Sequence, residues 1–263
     1  MFEHQPRKRF GQNFLSDTNM IHKIIAAINP RRGQAMVEIG PGLGALTGPV
    51  LSACGELQVV ELDRDLIPVL AERVSKHGKL IIHQADALTF DFAALSQPAQ
   101  KLRIIGNLPY NISTPLLFHL LRFASHIDDM HFMLQKEVVE RLIATPGNKD
   151  YGRLSIMIQY YCEAEGLFVV PPYVFHPVPK VDSMIVRLRP YRNLPHQAEN
   201  VTILADLVKQ AFSQRRKTIG NTLKPYFSKL ELTRLNIDPQ LRPENLDLPA
   251  YVKLANAVLE FRK

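Results

Sequence analysis

The feature that most constrains this chain is the alternation of short apolar runs with helical stretches through its middle. The apolar runs lie at 35–39, 57–62, 80–83, 102–105, 130–135, 166–170 and 184–188. Stretches with helical periodicity, at 65–76 and 114–123, separate the early runs. Strands this short and apolar, with helices between them, are typical of a parallel sheet that is covered on both faces. The alternation therefore predicts a doubly wound α/β domain.

Both ends of the chain depart from this alternation. An amphipathic helix at 17–28, capped by Ser16 or Asp17, precedes the first strand. No helix separates the last two runs, which indicates an antiparallel hairpin at one edge of the sheet. After a polar segment at 192–199, the chain has only helical patterns, at 201–212, 219–226, 228–235 and 249–261. We predict two domains, an α/β domain over 1–190 and a small all-helical domain over 191–263.

Composition excludes several classes of protein. The chain of 263 residues is 46% hydrophobic and 22% charged, which is typical of a globular protein. Its two cysteines, Cys54 and Cys162, are too far apart in sequence for a paired metal motif, so we expect no metal site. Neither a membrane-spanning run nor the apolar core of a secretion signal is present, and we therefore expect a cytoplasmic protein.

The net charge of +7 is concentrated at the two ends of the chain. Residues 1–32 carry six basic and two acidic groups, 33–190 carry 14 and 16, and 191–263 carry 12 and seven. A mildly acidic middle between two basic ends is consistent with arms that contact a polyanion, although solvated surface charge gives the same pattern. The candidate phosphate contacts fall in two clusters: Arg7, Lys8 and Arg9, and Arg215, Arg216 and Lys217.

A glycine-rich turn follows the first predicted strand. Gly40-Pro41-Gly42-Leu43-Gly44 is such a turn, and with Ala45 it also fits the G-x-G-x-x-G/A pattern of dinucleotide-binding proteins. Glycines there let a ligand approach the backbone, and a following helix offers free N–H groups. Glu61, at the end of the second strand, is suited to binding a ribose diol. Together they predict an adenosine-type ligand without distinguishing a nicotinamide cofactor from another one.

Two further acidic residues lie near strand ends. Asp86 follows the third strand, where its carboxylate could accept a hydrogen bond from the exocyclic amine of adenine. Capping of the next helix is the alternative interpretation for Asp86. The role of Glu38 stays open: it could pair with backbone amides or bind an ammonium group.

The fourth strand ends in Asn107-Leu108-Pro109-Tyr110. An aromatic amine is a poor nucleophile because its lone pair is delocalised into the ring. The Asn107 amide oxygen and the Leu108 carbonyl could accept its two N–H groups, while Pro109 keeps Leu108 extended. Tyr110 could stack on a base that has been turned out of its helix. The tetrapeptide is therefore typical of a site that methylates the amine of a nucleobase.

With these motifs in order, the chain resembles the small-subunit ribosomal RNA adenine N6,N6-dimethyltransferases, a branch of the class I S-adenosylmethionine-dependent methyltransferases. The resemblance covers nearly the whole length. Beyond the segments around Glu38–Gly44, Glu61–Asp63, Asp86–Ala87 and Asn107–Tyr110, it extends to Arg9–Leu15, to Phe175–Ser183 with the sequence FHPVPKVDS, and to Phe212–Thr218 with the sequence FSQRRKT.

The resemblance implies a Rossmann-like methyltransferase sheet, S-adenosyl-L-methionine as cofactor, and an RNA-binding helical C-terminal domain. Its cofactor residues would be Asn13, Leu15, Gly40, Glu61, Asp86 and Asn107, and Phe175 would form a second aromatic wall opposite Tyr110. Similar proteins methylate two neighbouring adenines, twice each, in a hairpin loop near the 3′ end of small-subunit rRNA. The implied partner is that rRNA or a pre-assembled small subunit, with a role in ribosome biogenesis; we expect a monomer that binds no metal or membrane.

Three other functions share parts of this pattern. A large-subunit rRNA adenine methyltransferase of the antibiotic-resistance type shares the Asn-Leu-Pro-Tyr chemistry, but the segments at 175–183 and 212–218 resemble the small-subunit branch. A nicotinamide oxidoreductase shares only the glycine turn and Glu61. A non-catalytic assembly or transcription factor on this scaffold would be expected to have lost the cofactor residues, and all of them are present.

Overall fold

The computed structural model describes residues 13–96, 100–214 and 216–261, which form two compact units. One unit comprises the chain up to Val139 together with Ala164–Pro190, and the other comprises Glu140–Glu163 and the chain from Tyr191 onward. The second unit thus contains a segment from the middle of the chain in addition to the predicted range 191–263. The reason is that this segment carries apolar side chains, such as Tyr151 and Ile156, that pack into the helical core.

The described residues form nine strands in two sheets. The strands are β1 (Phe14–Leu15), β2 (Ala35–Ile39), β3 (Glu56–Glu61), β4 (Lys79–Gln84), β5 (Leu102–Asn107), β6 (Ile127–Gln135), β7 (Cys162–Val170), β8 (Phe175–His176) and β9 (Ser183–Pro190). Seven of them form the main sheet, in the order β4-β3-β2-β5-β6-β9-β7, while β1 and β8 pair with each other. Strands β2 to β6 run parallel and β9 is antiparallel to β6. The predicted doubly wound sheet with an antiparallel edge is confirmed.

The strand order reverses beside β2, since β3 lies on one side of it and β5 on the other. Such a switch point opens a crevice at the carboxyl ends of the strands, where doubly wound sheets bind ligands. The glycine turn follows β2, Glu61 ends β3, Asp86 follows β4 and Asn107 ends β5. The topology therefore gathers the predicted site residues at one edge of the sheet.

Helices flank the strands of this unit. They are α1 (Thr18–Ile28), α2 (Thr47–Cys54), α3 (Leu66–Val74) and α4 (Ser113–Leu121). Helix α1 begins where the Asp17 carboxylate accepts the Met20 N–H at 2.7 Å, so Asp17 is the cap. Its buried face places Ile24 and Ile28 in the apolar core. The predicted helix at 17–28 is thus confirmed to within a residue.

A buried ion pair anchors the amino-terminal end of the sheet. The Arg103 guanidinium on β5 contacts the Asp129 carboxylate on β6 at 2.9 Å through Nε and again through Nη2. It also donates to the Ile28 carbonyl at 2.7 Å, and this bond gives a partner to a carbonyl at the end of α1. Arg103 is 8% exposed, so the pair is shielded from water. These bonds fix α1 to two central strands.

The regular secondary structure described in the second unit is helical, apart from Cys162 and Glu163, the first two residues of β7. Its helices are α6 (Arg153–Tyr161), α7 (Val201–Ala211), α8 (Ile219–Thr222), α9 (Lys229–Arg234) and α10 (Leu248–Phe261), and α5 (Lys136–Ile143) leads into it. Leu204, Leu207 and Tyr251 are fully buried in its core. Across both described units, no helix has the length and apolar character needed to cross a membrane.

Candidate active site

A cavity of about 1010 Å³ opens at the carboxyl ends of β2 to β5. Every described residue predicted for catalysis or cofactor binding lines this cavity, with the exception of Phe175. The lining includes Asn13, Leu15, Gly40, Glu61, Asp86, Asn107, Leu108, Pro109 and Tyr110. The residues proposed from separate motifs therefore share one chamber.

The glycine turn forms the floor of this cavity next to β2. Gly40 has φ +64°, a conformation that side-chain-bearing residues rarely adopt, and a Cβ there would meet no atom within 4 Å. Its N–H is bonded to the Val60 carbonyl at 3.0 Å, which ties the turn to β3. The bare backbone of Gly40 thus faces open space in which a ligand can lie close.

Glu61 lies beneath this turn. Its Oε1 accepts the Asp63 N–H at 2.8 Å and its Oε2 accepts the Gly42 N–H at 3.4 Å. The side chain is only 7% exposed, and burial raises its pKa. Backbone amides therefore orient a shielded carboxylate at the cavity wall, where it can accept hydrogen bonds from two neighbouring hydroxyls.

Glu38, whose role the sequence left open, also lines the cavity. It is 2% exposed, and its Oε2 has no hydrogen-bond partner among the described residues. Burial raises the pKa of Glu38 to about 7, and the charge of Glu61 adds to the rise, while the nearby Thr47 hydroxyl opposes it. A buried acceptor without a partner is costly, which makes this wall suited to a ligand that donates a hydrogen bond.

Asp86 follows β4 and is half-buried. Its Oδ1 accepts the Leu88 N–H at 2.9 Å, and its backbone carbonyl accepts the Thr89 N–H at 3.0 Å. The residue thus stabilises the turn that follows it, as the capping interpretation expected, although that turn does not continue as a helix. At the same time it lines the cavity, so both interpretations of Asp86 remain compatible with its position.

The Asn107–Tyr110 segment leaves β5 at the opposite wall. The Asn107 side-chain N–H donates to the Asn13 carbonyl at 3.0 Å, which leaves its amide oxygen as an acceptor. The Leu108 N–H is bonded to the Met133 carbonyl at 3.2 Å. The Tyr110 hydroxyl is 2.7 Å from the Ser183 hydroxyl, and burial raises the pKa of this tyrosine. Asn107, Leu108 and Tyr110 are thus held by three different parts of the chain, namely the residue before β1, strand β6 and strand β9.

A two-residue ladder brings the N-terminal segment to the site. Leu15 pairs with Phe175 and Phe14 with His176. Phe175 is 2% exposed and packs in the apolar core, whereas exposed His176 lines the cavity. Neither strand is predictable from the sequence, because two residues show no periodicity. The roles of Phe14 and His176 and the contact with Ser183 were therefore not predicted.

The predicted basic clusters are only partly described. Arg7, Lys8, Arg9 and Arg215 lie outside the described residues. Arg216 and Lys217 are exposed in the turn before α8, where the Lys217 N–H donates to the Gln214 carbonyl at 2.9 Å. Within the described part of the chain, no group of three or more His, Cys, Asp or Glu residues is placed to hold a metal ion.

Comparison with known proteins agrees with this geometry. The family model for ribosomal RNA adenine dimethylases matches residues 3–258. The chain is 56% identical over 260 residues to ribosomal RNA small subunit methyltransferase A of Pseudomonas aeruginosa, which covers 99% of this chain and 97% of the relative.

Solved structures extend the comparison to the fold. A dimethyladenosine transferase from Plasmodium falciparum superimposes with a TM-score of 0.78 at 27% identity, over 95% of this chain and 97% of that one. The 23S rRNA methyltransferase ErmE has a TM-score of 0.71 at 24% identity, over 94% and 99%, and shares the fold. From the match of the family model and the identity to its members, this chain belongs to the ribosomal RNA adenine dimethylase family.

Proposed function

We propose that the protein transfers methyl groups from S-adenosyl-L-methionine to the N6 atoms of two neighbouring adenines in a hairpin loop near the 3′ end of small-subunit rRNA. The product is N6,N6-dimethyladenine at both positions. The observation that carries this proposal is the shared cavity, which joins the glycine turn and Glu61 to the Asn107–Tyr110 segment. Membership of the adenine dimethylase family and the small-subunit relatives support it.

The cavity residues fit the cofactor. Gly40 offers bare backbone and Glu61 offers an oriented carboxylate to a ribose diol. Asp86 would accept from the adenine amine, and the unpartnered Glu38 oxygen marks a place for a donor. Asn13 and Leu15 would cover the methionine end. When bound, this cofactor supplies a methyl group on a sulfonium, which is already activated for transfer.

The chain's own residues would position the nucleophile. The Asn107 amide oxygen and the Leu108 carbonyl accept the two N–H groups of the target amine, which favours the pyramidal nitrogen needed for attack. Pro109 fixes where the Leu108 carbonyl points. A monomethylated amine keeps one N–H for these acceptors, so the same pair serves the second transfer. No strong general base is required, because the nitrogen carries a positive charge directly after it attacks the methyl group and then readily loses its proton to water.

The two aromatic residues that are proposed to stack on the base differ in their exposure to the cavity. Tyr110 lines the cavity, where its ring is available for stacking on an extruded base. Phe175 is proposed as the second wall, yet its ring is buried beside Leu15. Stacking by Phe175 therefore requires the β1–β8 pair to shift when RNA binds, whereas His176 already faces the cavity.

We also propose that the basic residues contact phosphates of the rRNA or of a pre-assembled small subunit. They are Arg7, Lys8, Arg9, Arg215, Arg216 and Lys217. The exposure of Arg216 and Lys217 supports this role. In this proposal the first unit is catalytic, and the second unit, which adds residues 140–163 to the range 191–263, binds RNA. The protein acts as a monomer in the cytoplasm without a metal ion.

Methyl transfer to purified ribosomal particles tests the proposal. Labelled S-adenosylmethionine is incubated with the protein and with small subunits that lack these methyl groups, and the RNA is digested to nucleosides. We expect the label in N6,N6-dimethyladenosine from small subunits, with little incorporation into large-subunit RNA. Label that entered only large-subunit RNA, or a nucleoside other than a methylated adenosine, would overturn the proposal.

A further inference from the structure

A hydrogen bond joins Tyr110, which lines the cavity, to β9, a strand that carries no predicted site residue. The hydroxyl groups of Tyr110 and Ser183 are 2.7 Å apart. Tyr110 is half-buried, whereas Ser183 is fully buried as the first residue of β9. Because burial raises the pKa of Tyr110, its hydroxyl stays protonated at neutral pH and can serve as the donor.

The backbone is fixed on both sides of this bond. Ser183 pairs with Gln135 of β6, and the next residue of that chain, Lys136, donates its N–H to the Asp182 carbonyl at 2.9 Å. On the other side, the Ser113 hydroxyl donates to the Tyr110 carbonyl at 3.1 Å. With both main chains held, the hydroxyl contact restrains what remains free, namely the direction in which the Tyr110 side chain points, and so fixes where its ring lies.

The start of β9 is also connected along the chain to His176, another residue that lines the cavity. A loop over 177–182 connects His176, which lines the cavity, to Ser183. His176 is held at one end of the loop by its pairing with Phe14, and Ser183 is held at the other end by β6. The Tyr110–Ser183 bond therefore ties the ring to the end of a loop that begins at another residue of the cavity lining, His176.

We infer that Ser183 is a positioning residue for methyl transfer: its hydroxyl holds the Tyr110 ring in the orientation that stacks on the target adenine. This inference rests on the proposed function. Ser183 does not line the cavity and acts only through Tyr110. Its contribution should thus appear in the turnover of bound substrate rather than in binding of the cofactor.

A double-mutant cycle tests the inference. Ser183→Ala and Tyr110→Phe each remove one hydroxyl and keep the rest of the side chain. The loss of one neutral hydrogen bond corresponds to a decrease of about threefold to tenfold in kcat. We expect both single variants to show this decrease, and the double variant to fall no further, since the two changes delete the same interaction. KM for the small subunit and the affinity for S-adenosylmethionine should stay within about twofold of wild type.

Ser155→Ala is the matched control. Ser155 is a fully buried serine of the second unit whose hydroxyl is bonded to the Arg141 carbonyl. Loss of the Ser155 hydroxyl should lower the midpoint of thermal unfolding as much as Ser183→Ala does, but it should not decrease kcat. If Ser183→Ala does not fold, Tyr110→Phe deletes the same bond from the less buried side, and an unchanged kcat in that variant contradicts the inference.

The outcomes separate the inference from the proposed function. Decreases that multiply in the double variant, or wild-type kcat in Ser183→Ala, would overturn the positioning role while leaving rRNA methylation intact. Wild-type protein that transfers no methyl group to small subunits would instead refute the proposed function, and the positioning role with it.

Discussion

Gly106 lies where the end of β5 passes close to the backbone of β2. It precedes Asn107 on β5, and a Cβ added to it would be 2.6 Å from the Ile39 carbonyl oxygen of β2 and 3.0 Å from Leu108 Cδ2. The first of these atoms belongs to the backbone of a central strand and cannot rotate away. Gly106→Ala must therefore push the end of β5 away from the end of β2. This movement increases the separation of Asn107 from the glycine turn.

The size of the effect follows from this contact. Overpacking of a tight interior costs about 1 to 3 kcal/mol in the free energy of unfolding, which leaves most of the protein folded. A misplacement of reacting groups by about 1 Å can lower a rate by about a hundredfold. The Ile39 carbonyl and the new Cβ have to move apart by several tenths of an ångström. We therefore expect the rate of methyl transfer by Gly106→Ala to fall by at least about tenfold.

Gly33→Ala is a control of similar cost. Gly33 has φ +80°, so a side chain there is strained by about 1 to 2 kcal/mol, but a Cβ would touch nothing within 4 Å. The two variants are compared by urea unfolding and by single-turnover methyl transfer to small subunits. Transfer by Gly106→Ala within twofold of wild type, or an equal loss in Gly33→Ala, would refute the reasoning.

Three further predictions concern charged groups. Because burial raises the pKa of Glu38 from 4.5 to about 7, its ionisation destabilises the ligand-free fold as pH rises through that range. Glu38→Gln should then be more stable than wild type at pH 8 by up to about 3 kcal/mol in urea unfolding, and this difference should vanish near pH 4. Arg103→Leu leaves a buried carboxylate unpaired and should cost about 3 to 5 kcal/mol in the same assay, whereas Lys79→Ala, which breaks an exposed pair, should cost less than about 1 kcal/mol. Replacing Arg216 and Lys217 together by alanine should weaken RNA binding and reduce the slope of log K against log salt by about 1 to 2, with unchanged cofactor affinity; unaltered RNA binding would contradict the phosphate-contact role.

The sheet could be predicted from the sequence because its strands are short, apolar and separated by helices. All seven runs became strands of the main sheet, with ends that moved by at most four residues. The membership of residues 140–163 in the second unit could not be predicted. Tyr151 and Ile156 look like core residues of either unit, and only the tertiary packing decides which core they join.

The site residues at strand ends were predictable for a topological reason. Parallel strands deliver their carboxyl ends to one edge, so Gly40, Glu61, Asp86 and Asn107 had to meet there. The contacts that hold these residues depend on pairs distant in sequence, such as Tyr110 with Ser183, which no local pattern reveals. Likewise, the burial of Phe175 follows from its pairing with Leu15, over a strand too short to leave a periodic signal.

If this cavity dimethylates two neighbouring adenines of small-subunit rRNA, as we propose, a map of the modified positions will show it. N6,N6-dimethyladenine cannot form a normal base pair and therefore stops reverse transcription. Small subunits lacking the modification, treated with the protein and S-adenosylmethionine, should give stops at two neighbouring adenines in a hairpin loop near the 3′ end of the rRNA, and treatment with Asn107→Ala should give none. Stops at other positions, or the same stops with Asn107→Ala, would contradict the account.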